Sequence, residues 1–324
     1  MDIEIVRWQS SHIKLIRKFF DQKKFLEVMP PLLVENPGME THIHPFSIYS
    51  PMQKAHRPLY LPTSPEFHMK ELLSLNSGDI YTLNYSFRDE PNSTHHRPQF
   101  LMLEWYRANE HYKKLMDDCE ELFTFLVQHY PGQNIPLHSS YHSFSHYQRA
   151  TIAEIFLDVL NIDILDFLEK DDLKKLIEQN FRDVPLPTNG EDLSWDDYYF
   201  LLFLNKIEPH LAHYPYLLLS EFPHHLSALS TLKKEDPRVC ERFEIYCHGI
   251  ELCNAFNELT DLKLQKLRFQ SQAKEKHQLY HYELPTPHRF YRTLERGLPT
   301  SSGIALGVDR LMKILTGIDN PFWD

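Results

Sequence analysis

The sequence predicts an α+β fold, and three observations carry that reading. Two stretches, 86–106 and 240–257, alternate with strand period on either side of a polar turn. Apolar residues recur at helical spacing in separate stretches from Ser11, Glu110 and Asp261. A last apolar run, SSGIALG from Ser301, leads directly into VDRLMKILTG. Side chains alternate with period two along a strand and return every three to four residues along a helix, so the two element types separate by pattern. Hairpins with helices in separate stretches read as α+β.

With 324 residues and 42% apolar content the chain can bury a large core, as one large domain or two smaller ones. No run of eighteen apolar residues occurs, and MDIEIVRWQSS lacks the blocks of a signal peptide, so the expectation is a soluble cytoplasmic protein without membrane function. Cys119, Cys240, Cys247 and Cys253 show no C-x-x-C spacing and read as reduced thiols. The twenty histidines are scattered; His95/His96 and His224/His225 point adjacent side chains to different sides, and no structural zinc is expected. A net charge of −11, from 34 basic and 45 acidic residues, argues against an extensive tRNA or DNA surface.

In chain order, residues 11–25 form an amphipathic helix with Ile13, Ile16, Phe19 and Phe20 on one side. FLEVMPPLL follows as a short strand stopped by Pro30 and Pro31, either scaffold or a dimer element. After a Pro-, His- and Ser-rich loop, a strand from Leu59 enters a helix with Ser64 as N-cap, Pro65 in the first helical position and Glu66 in the first turn. A helix over 110–129 turns Leu115, Cys119, Leu122, Phe123 and Leu126 inward. Helices over 152–160, 164–179 and 194–211 read as a helical insertion, about 150–212, within one domain spanning 1–324. Strand returns from Tyr214, a charged amphipathic helix covers 261–280, and Arg310 sits in the opening turn of the last helix, where a cation calls for an anion.

Two places carry chemistry. On the first hairpin Ser86, Arg88 and Glu90 share a face, as do Phe100, Met102, Glu104 and Tyr106. Buried charges are costly unless paired, so a ligand with phosphates and an amine suits that surface. On the second hairpin Glu244 and Glu251 are expected to oppose each other across the turn at His248 and Gly249. Like charges opposed in a sheet repel, which either a bridging divalent cation or lysine partners would relieve.

The ordered set of a helix and strand ending in proline, a strand–loop–strand with F-R-x-E, and a strand and helix with G-x-D-R resembles the three motifs of class II aminoacyl-tRNA synthetases. TSPEFHMK from Thr63, LEWY from Leu103 and ELCNAFNELTD from Glu251 resemble the lysine-specific branch. The first-motif helix begins too early to leave room for an anticodon-binding domain, and in this the chain resembles the elongation factor P lysine ligase family. Ala305, where lysyl-tRNA synthetases typically carry glycine, points the same way.

The resemblance implies the class II catalytic core, a mostly antiparallel sheet flanked by helices, forming a homodimer through the first-motif region. It implies an ATP-dependent ligase that makes an adenylate of lysine, or (R)-β-lysine, and passes the acyl group to a lysine of elongation factor P, with Mg²⁺ as cofactor and tRNA not a partner. By matched position, Arg88 and Arg310 are catalytic. Arg88, Asp89, Glu90, His96, Arg97, Phe100, Glu251, Leu252, Gly307 and Arg310 hold ATP. Ser64, Pro65, Glu66, Glu104, Tyr106, Asn254, Phe256, Glu258 and Ala305 hold lysine, and Glu244 and Glu251 hold the metal. Arg97, Gln99 and Ala255 depart from the family pattern, which reads H-N-P-E-F in the loop and N-G-F later. A free-standing synthetase fragment acylating tRNA or another carrier, and a silent adenylate-binding paralogue, are the competing readings.

Overall fold

A computed structural model describes residues 2–49, 58–91, 97–131, 135–138, 148–187 and 193–320. Its elements run α1 (Ile3–Gln22), β1 (Leu26–Glu27), β2 (Ser47–Ile48), β3 (Leu59–Tyr60), α2 (Glu66–Leu73), β4 (Ile80–Phe87), β5 (Gln99–Ala108) and α3 (Tyr112–Gln128). Then come β6 (Gln148–Thr151), α4 (Ile152–Leu160), α5 (Lys170–Asn180), α6 (Trp195–Leu202), α7 (Glu208–Leu211), β7 (Leu217–Ser220), β8 (Arg242–Cys247) and β9 (Ile250–Asn257). The chain ends in α8 (Leu262–Tyr280), α9 (His288–Arg296), β10 (Ser301–Gly307) and α10 (Val308–Thr316). Two compact units result, residues 1–138 with 258–324, and residues 139–257.

In the first unit β1 pairs parallel to β4, and β4–β5 and β5–β10 are antiparallel. The β4–β5 ladder runs from Ile80↔Tyr106 to Phe87↔Gln99 and realises the predicted hairpin. α1 begins at Ile3, earlier than the hydrophobic stripe suggested, because Asp2 caps it by accepting from the Glu4 N–H at 2.9 Å. Its inner face buries Trp8, Ile16, Phe19 and Phe20. Phe20 stacks on Tyr81 at 4.5 Å and meets Phe25 edge-on at 5.2 Å. Burying a ring of that size stabilises the fold by about 1.5–3 kcal/mol.

Polar anchors fix how these elements meet. Arg107 on β5 donates to Asp79 at 2.7 Å and to both carboxylate oxygens of Asp118 on α3, with its guanidinium 4.4 Å from the Phe25 ring. Asp309, buried in the first turn of α10, accepts from the Leu101 N–H at 2.7 Å and from Asn320 at 2.6 Å. The aspartate of the G-x-D-R stretch thereby ties the last helix to the strand that carries Glu104.

In the second unit β6–β7 is parallel, and β7–β8 and β8–β9 are antiparallel. Its core gathers Ile152, Phe156, Ile177, Trp195, Tyr199 and Phe203. Capping boxes start α4 (Thr151 with Glu154) and α6 (Ser194 with Asp197). The expected helix over 164–179 is instead a 3₁₀ turn, Ile164–Asp166, followed by α5, since Asp163 caps the first piece through Leu165 N–H and the chain restarts at Lys170. The helical stretch 194–211 contains a π segment, Phe203–Ile207, just before Pro209, which has no N–H to give. His248 and Gly249, both at positive φ, make the predicted two-residue turn between β8 and β9.

The four cysteines are free and buried. Among the described residues no helix is long and apolar enough to cross a membrane.

Candidate active site

The face that carries the site is assembled by register. Glu104 on β5 lies opposite Thr82 on β4 and Ala305 on β10, and Tyr106 lies opposite Ile80 and Gly303. Directly opposed residues in an antiparallel pair point to the same side, so Glu104, Tyr106, Gly303 and Ala305 share one surface. α2 adds Glu66 and Lys70, one helical turn apart. The chain following β9 adds Glu258, whose N–H is held by the Ser301 carbonyl at 2.9 Å.

Lys70 is fully buried and its Nζ lies 2.6 Å from both Glu66 Oε1 and Glu258 Oε2. Burial alone would pull the ammonium toward neutrality, but Glu258 and Glu66 outweigh it and hold Lys70 charged. Tyr106 donates to Glu104 Oε2 at 3.1 Å. Glu104 Oε1 and Glu258 Oε1 have no hydrogen-bond partner among the described residues, on residues left 1% and 3% exposed. Burial pushes the Glu104 carboxyl well above the usual carboxylate range, with Glu66 adding to the rise, and burial likewise raises Glu258 against the pull of Lys70. One lysine therefore faces three carboxylates, two of which hold an oxygen ready for an incoming donor.

This pocket is stabilised by protons when no ligand is present. A carboxyl whose folded pKa exceeds its unfolded value holds a proton in the fold that the unfolded chain releases between the two values, so stability falls as pH rises through that window. For Glu104 the window opens near its ordinary value of 4.5 and extends upward. Each such proton changes stability by about 1.4 kcal/mol per pH unit. Glu104→Gln is expected to melt higher than the wild type at neutral pH, with a margin that widens as pH rises from 4.5, in thermal unfolding across pH. A margin independent of pH would contradict this.

Beyond β4 the structure brings together two residues expected to hold ATP. The Arg88 guanidinium lies 5.2 Å from the centre of the Phe100 ring, and its Nε is buried without a hydrogen-bond partner among the described residues. The Arg88 N–H is fixed by the Pro98 carbonyl at 2.9 Å, and the Asp89 N–H by His44 at 2.7 Å. His96 lies outside the described residues. Gly307 and Arg310 follow at the junction of β10 and α10; a methyl on Gly307 would touch only the Arg310 side chain, at 3.6 Å or more. The N-terminal end of α2 differs by one residue from expectation: the helix starts at Glu66, leaving Pro65 as its cap residue, while Ser64 Oγ still accepts from the Glu66 N–H at 3.3 Å.

Glu244, Glu251, Leu252, Asn254 and Phe256 belong to the second unit. Glu244 and Glu251 do not oppose each other as expected: the turn at His248 and Gly249 sets Tyr246 opposite Glu251, and a register shift between Ile245 and Tyr246 sets Asn254 opposite Glu244. Half-buried Arg242 organises this surface. It pairs with Glu244, donates to Asn254 Oδ1 at 3.0 Å, and lies 4.5 Å from the Phe222 ring and 5.7 Å from Phe256. Tyr246 donates to the other Glu244 oxygen at 2.6 Å. Both oxygens of Glu244 are thus engaged by protein donors, one each. Among the described residues no group of three or more His, Cys, Asp or Glu side chains is arranged to hold a metal ion.

Sequence reasoning passed over Lys70, Glu40, Gly303 and Arg242. Lys70 had a signal, the Glu66/Lys70 spacing of four. Gly303 is required by contact: an added Cβ would lie 2.2 Å from Tyr106 Cε1 and 2.4 Å from Glu258 Oε1. Glu40 sits in a loop with no periodic pattern and lines a small pocket with Asn36, Gly38, Ser64, Glu66 and His68.

Residues 3–320 match the family described as tRNA synthetases class II (D, K and N), and the chain belongs to that family. Among its relatives, the elongation factor P–(R)-β-lysine ligase of Proteus mirabilis (strain HI4320) is 35% identical, over 98% of this chain and 95% of the relative. The proteins of the same name from Histophilus somni (strain 2336) and Vibrio cholerae (serotype O1, El Tor Inaba N16961) are 34% and 33% identical. They cover 94% and 98% of this chain and 88% and 93% of their own lengths.

Proposed function

We propose that this protein is an ATP-dependent, AMP-forming ligase that activates lysine, most suitably (R)-β-lysine, as an aminoacyl-adenylate and transfers the acyl group to a lysine side chain of elongation factor P. It acts in the cytoplasm as a homodimer, with Mg²⁺ supplied together with ATP. The observation that carries the reading is the set of buried Glu104 and Glu258 with half-buried Glu66 around the buried Lys70. With all four groups charged, two negative charges remain, the complement of a diamino acid. The names of the relatives supply the acceptor and the isomer.

In the first step the substrate carboxylate attacks the α-phosphorus and pyrophosphate leaves; no protein nucleophile is needed. Tyr106 and the carboxylates fix the two ammonium groups, and Arg88, stacked near Phe100, and Arg310 stabilise the charge that develops on phosphate. Magnesium bound with the nucleotide would supply neutralisation of the charge on its phosphates. No step is routed through Glu244.

The test is ATP–pyrophosphate exchange with a panel of α-lysine, (R)-β-lysine, ornithine and monoamino acids, followed by mass spectrometry of elongation factor P. Exchange confined to the diamino acids, strongest with (R)-β-lysine, together with a single aminoacyl adduct on the acceptor protein is expected. Exchange with monoamino acids, or acylation of tRNA in place of the protein, would overturn the assignment.

A further inference from the structure

We propose that Glu40 is the base of the second half-reaction, receiving the proton of the acceptor lysine's ammonium as its nitrogen attacks the adenylate; this rests on the ligase reading above.

The loop bearing Glu40 is built to present a carboxylate. The Asn36 side chain accepts from Gly38 N–H at 3.1 Å, Thr63 Oγ1 donates to the Pro37 carbonyl at 2.7 Å, and the Met39 N–H holds Glu40 Oε2 at 3.0 Å. Gly38 has φ +139°, and an added Cβ would fall 2.6 Å from Glu40 Oε2. Only glycine lets the backbone fold so that the carboxylate turns back over it. The carboxylate then lies in the same small pocket as Ser64 and Glu66.

Its neighbours say where in the reaction it stands. Glu40 interacts electrostatically with Glu66 on α2, with Arg88 beyond β4 and with Lys276 on α8. It is therefore within electrostatic reach of both a group assigned to the substrate's amines and the group assigned to its α-phosphate, and it shares a pocket with the first. Charge counting separates Glu40 from substrate binding: Glu66, Glu104 and Glu258 less Lys70 match the two ammonium groups of the diamino acid, and the unpartnered Glu104 Oε1 and Glu258 Oε1 give them seats. Glu40 stands outside that set, with Arg88 and Lys276 as its own cationic neighbours.

Other titratable groups nearby are committed elsewhere. Lys276 donates to the Ile43 carbonyl at 2.8 Å and to Tyr282 at 3.1 Å, and His44 shares Tyr282 at 2.7 Å. His68, which lines the pocket, senses Arg289 and Glu71. Burial, followed by the charge of Glu66, raises the affinity of Glu40 for a proton, against the opposing pull of its backbone hydrogen bonds and Arg88.

The step balances as follows. The acceptor ammonium gives one proton to the Glu40 carboxylate, and the freed nitrogen lone pair forms the bond to the acyl carbon. The bond from that carbon to the phosphate oxygen breaks, its electron pair leaving with AMP. The nitrogen's second proton passes to water, and Glu40 returns its proton to solvent.

The test compares two acceptors in single turnover from adenylate formed on the full-length enzyme: elongation factor P, whose amine arrives protonated, and hydroxylamine, which is unprotonated at neutral pH. In Glu40→Gln the ratio of protein acylation to hydroxamate formation is expected to fall at least about 100-fold, in line with loss of a general base, and to recover as pH rises. Glu40→Asp, which keeps a carboxylate, should fall between the two. Parallel loss with both acceptors would assign Glu40 to substrate binding or to loop structure, and an unchanged ratio would remove it from the step; either result overturns the proposal. Absence of lysine-dependent pyrophosphate exchange in the wild type would instead overturn the ligase reading, and is read before any transfer is measured.

Discussion

Replacing Lys70 with methionine should destabilise the folded protein by about 3–5 kcal/mol, the loss typical when one member of a buried ion pair is removed and the other left charged. Lys70 is fully buried, its ammonium 2.6 Å from Glu66 and from Glu258. Methionine fills nearly the same space, so the loss reports charge and not a cavity. Without the ammonium, Glu66 and Glu258 face each other and Glu104 with nothing between them. Denaturant unfolding at pH 8 measures the effect. Because Glu258 is already pushed toward its protonated form, the loss should shrink as pH is lowered. Adding Glu258→Gln should recover more than half of it, since residues in one network do not act additively. A loss below about 1 kcal/mol at pH 8, where an ordinary exposed pair would fall, would show that Lys70 is not the counter-ion of this pocket.

Gly303→Ala is expected to have the larger effect on activity. The new methyl would lie within 2.4 Å of both the Tyr106 ring and Glu258 Oε1, and Tyr106 is a buried ring with little room to yield. Overpacking of this kind costs about 1–3 kcal/mol of stability. More damaging, Tyr106 must swing away from Glu104, and a displacement of order 1 Å in a positioning group can cost about 100-fold in rate. Lysine-dependent pyrophosphate exchange should fall by about that factor or more while the protein still melts cooperatively. An exchange rate within a few-fold of wild type would mean that β10 gives way instead, and that the close packing is not what holds Tyr106.

Much of this architecture could be read from local pattern. The alternation through 86–106 located the hairpin, and α4 and the β10–α10 junction were placed by periodicity. Glu66, Glu104, Tyr106 and Glu258 were named by matched motif, and the fold gathers them around Lys70. What could not be read depends on contacts between distant segments. Glu40 and Glu66 share a pocket only after the 36–40 loop closes on α2, and no spacing in the sequence encodes that. The facing of Glu244 and Glu251 was expected from their places on either side of the turn, but pairing about His248 and Gly249 sets Tyr246 opposite Glu251, and one irregularity in the ladder then sets Asn254 opposite Glu244. Arg242, read as one more alternating residue, proved to hold both Glu244 and Asn254 because only the folded hairpin brings the three together.

Lys70 also governs what the pocket refuses. Three carboxylates gathered around one spot would ordinarily draw hard cations, which seek six or more oxygen ligands converging on a point. An ammonium fixed between Glu66 and Glu258 leaves the remaining oxygens apart and turned toward single donors, a geometry that suits N–H groups and starves a metal of ligands. The same geometry would keep the proposed amine site open for amines. The lysine it carries inside is a permanent occupant that excludes the commonest impostor.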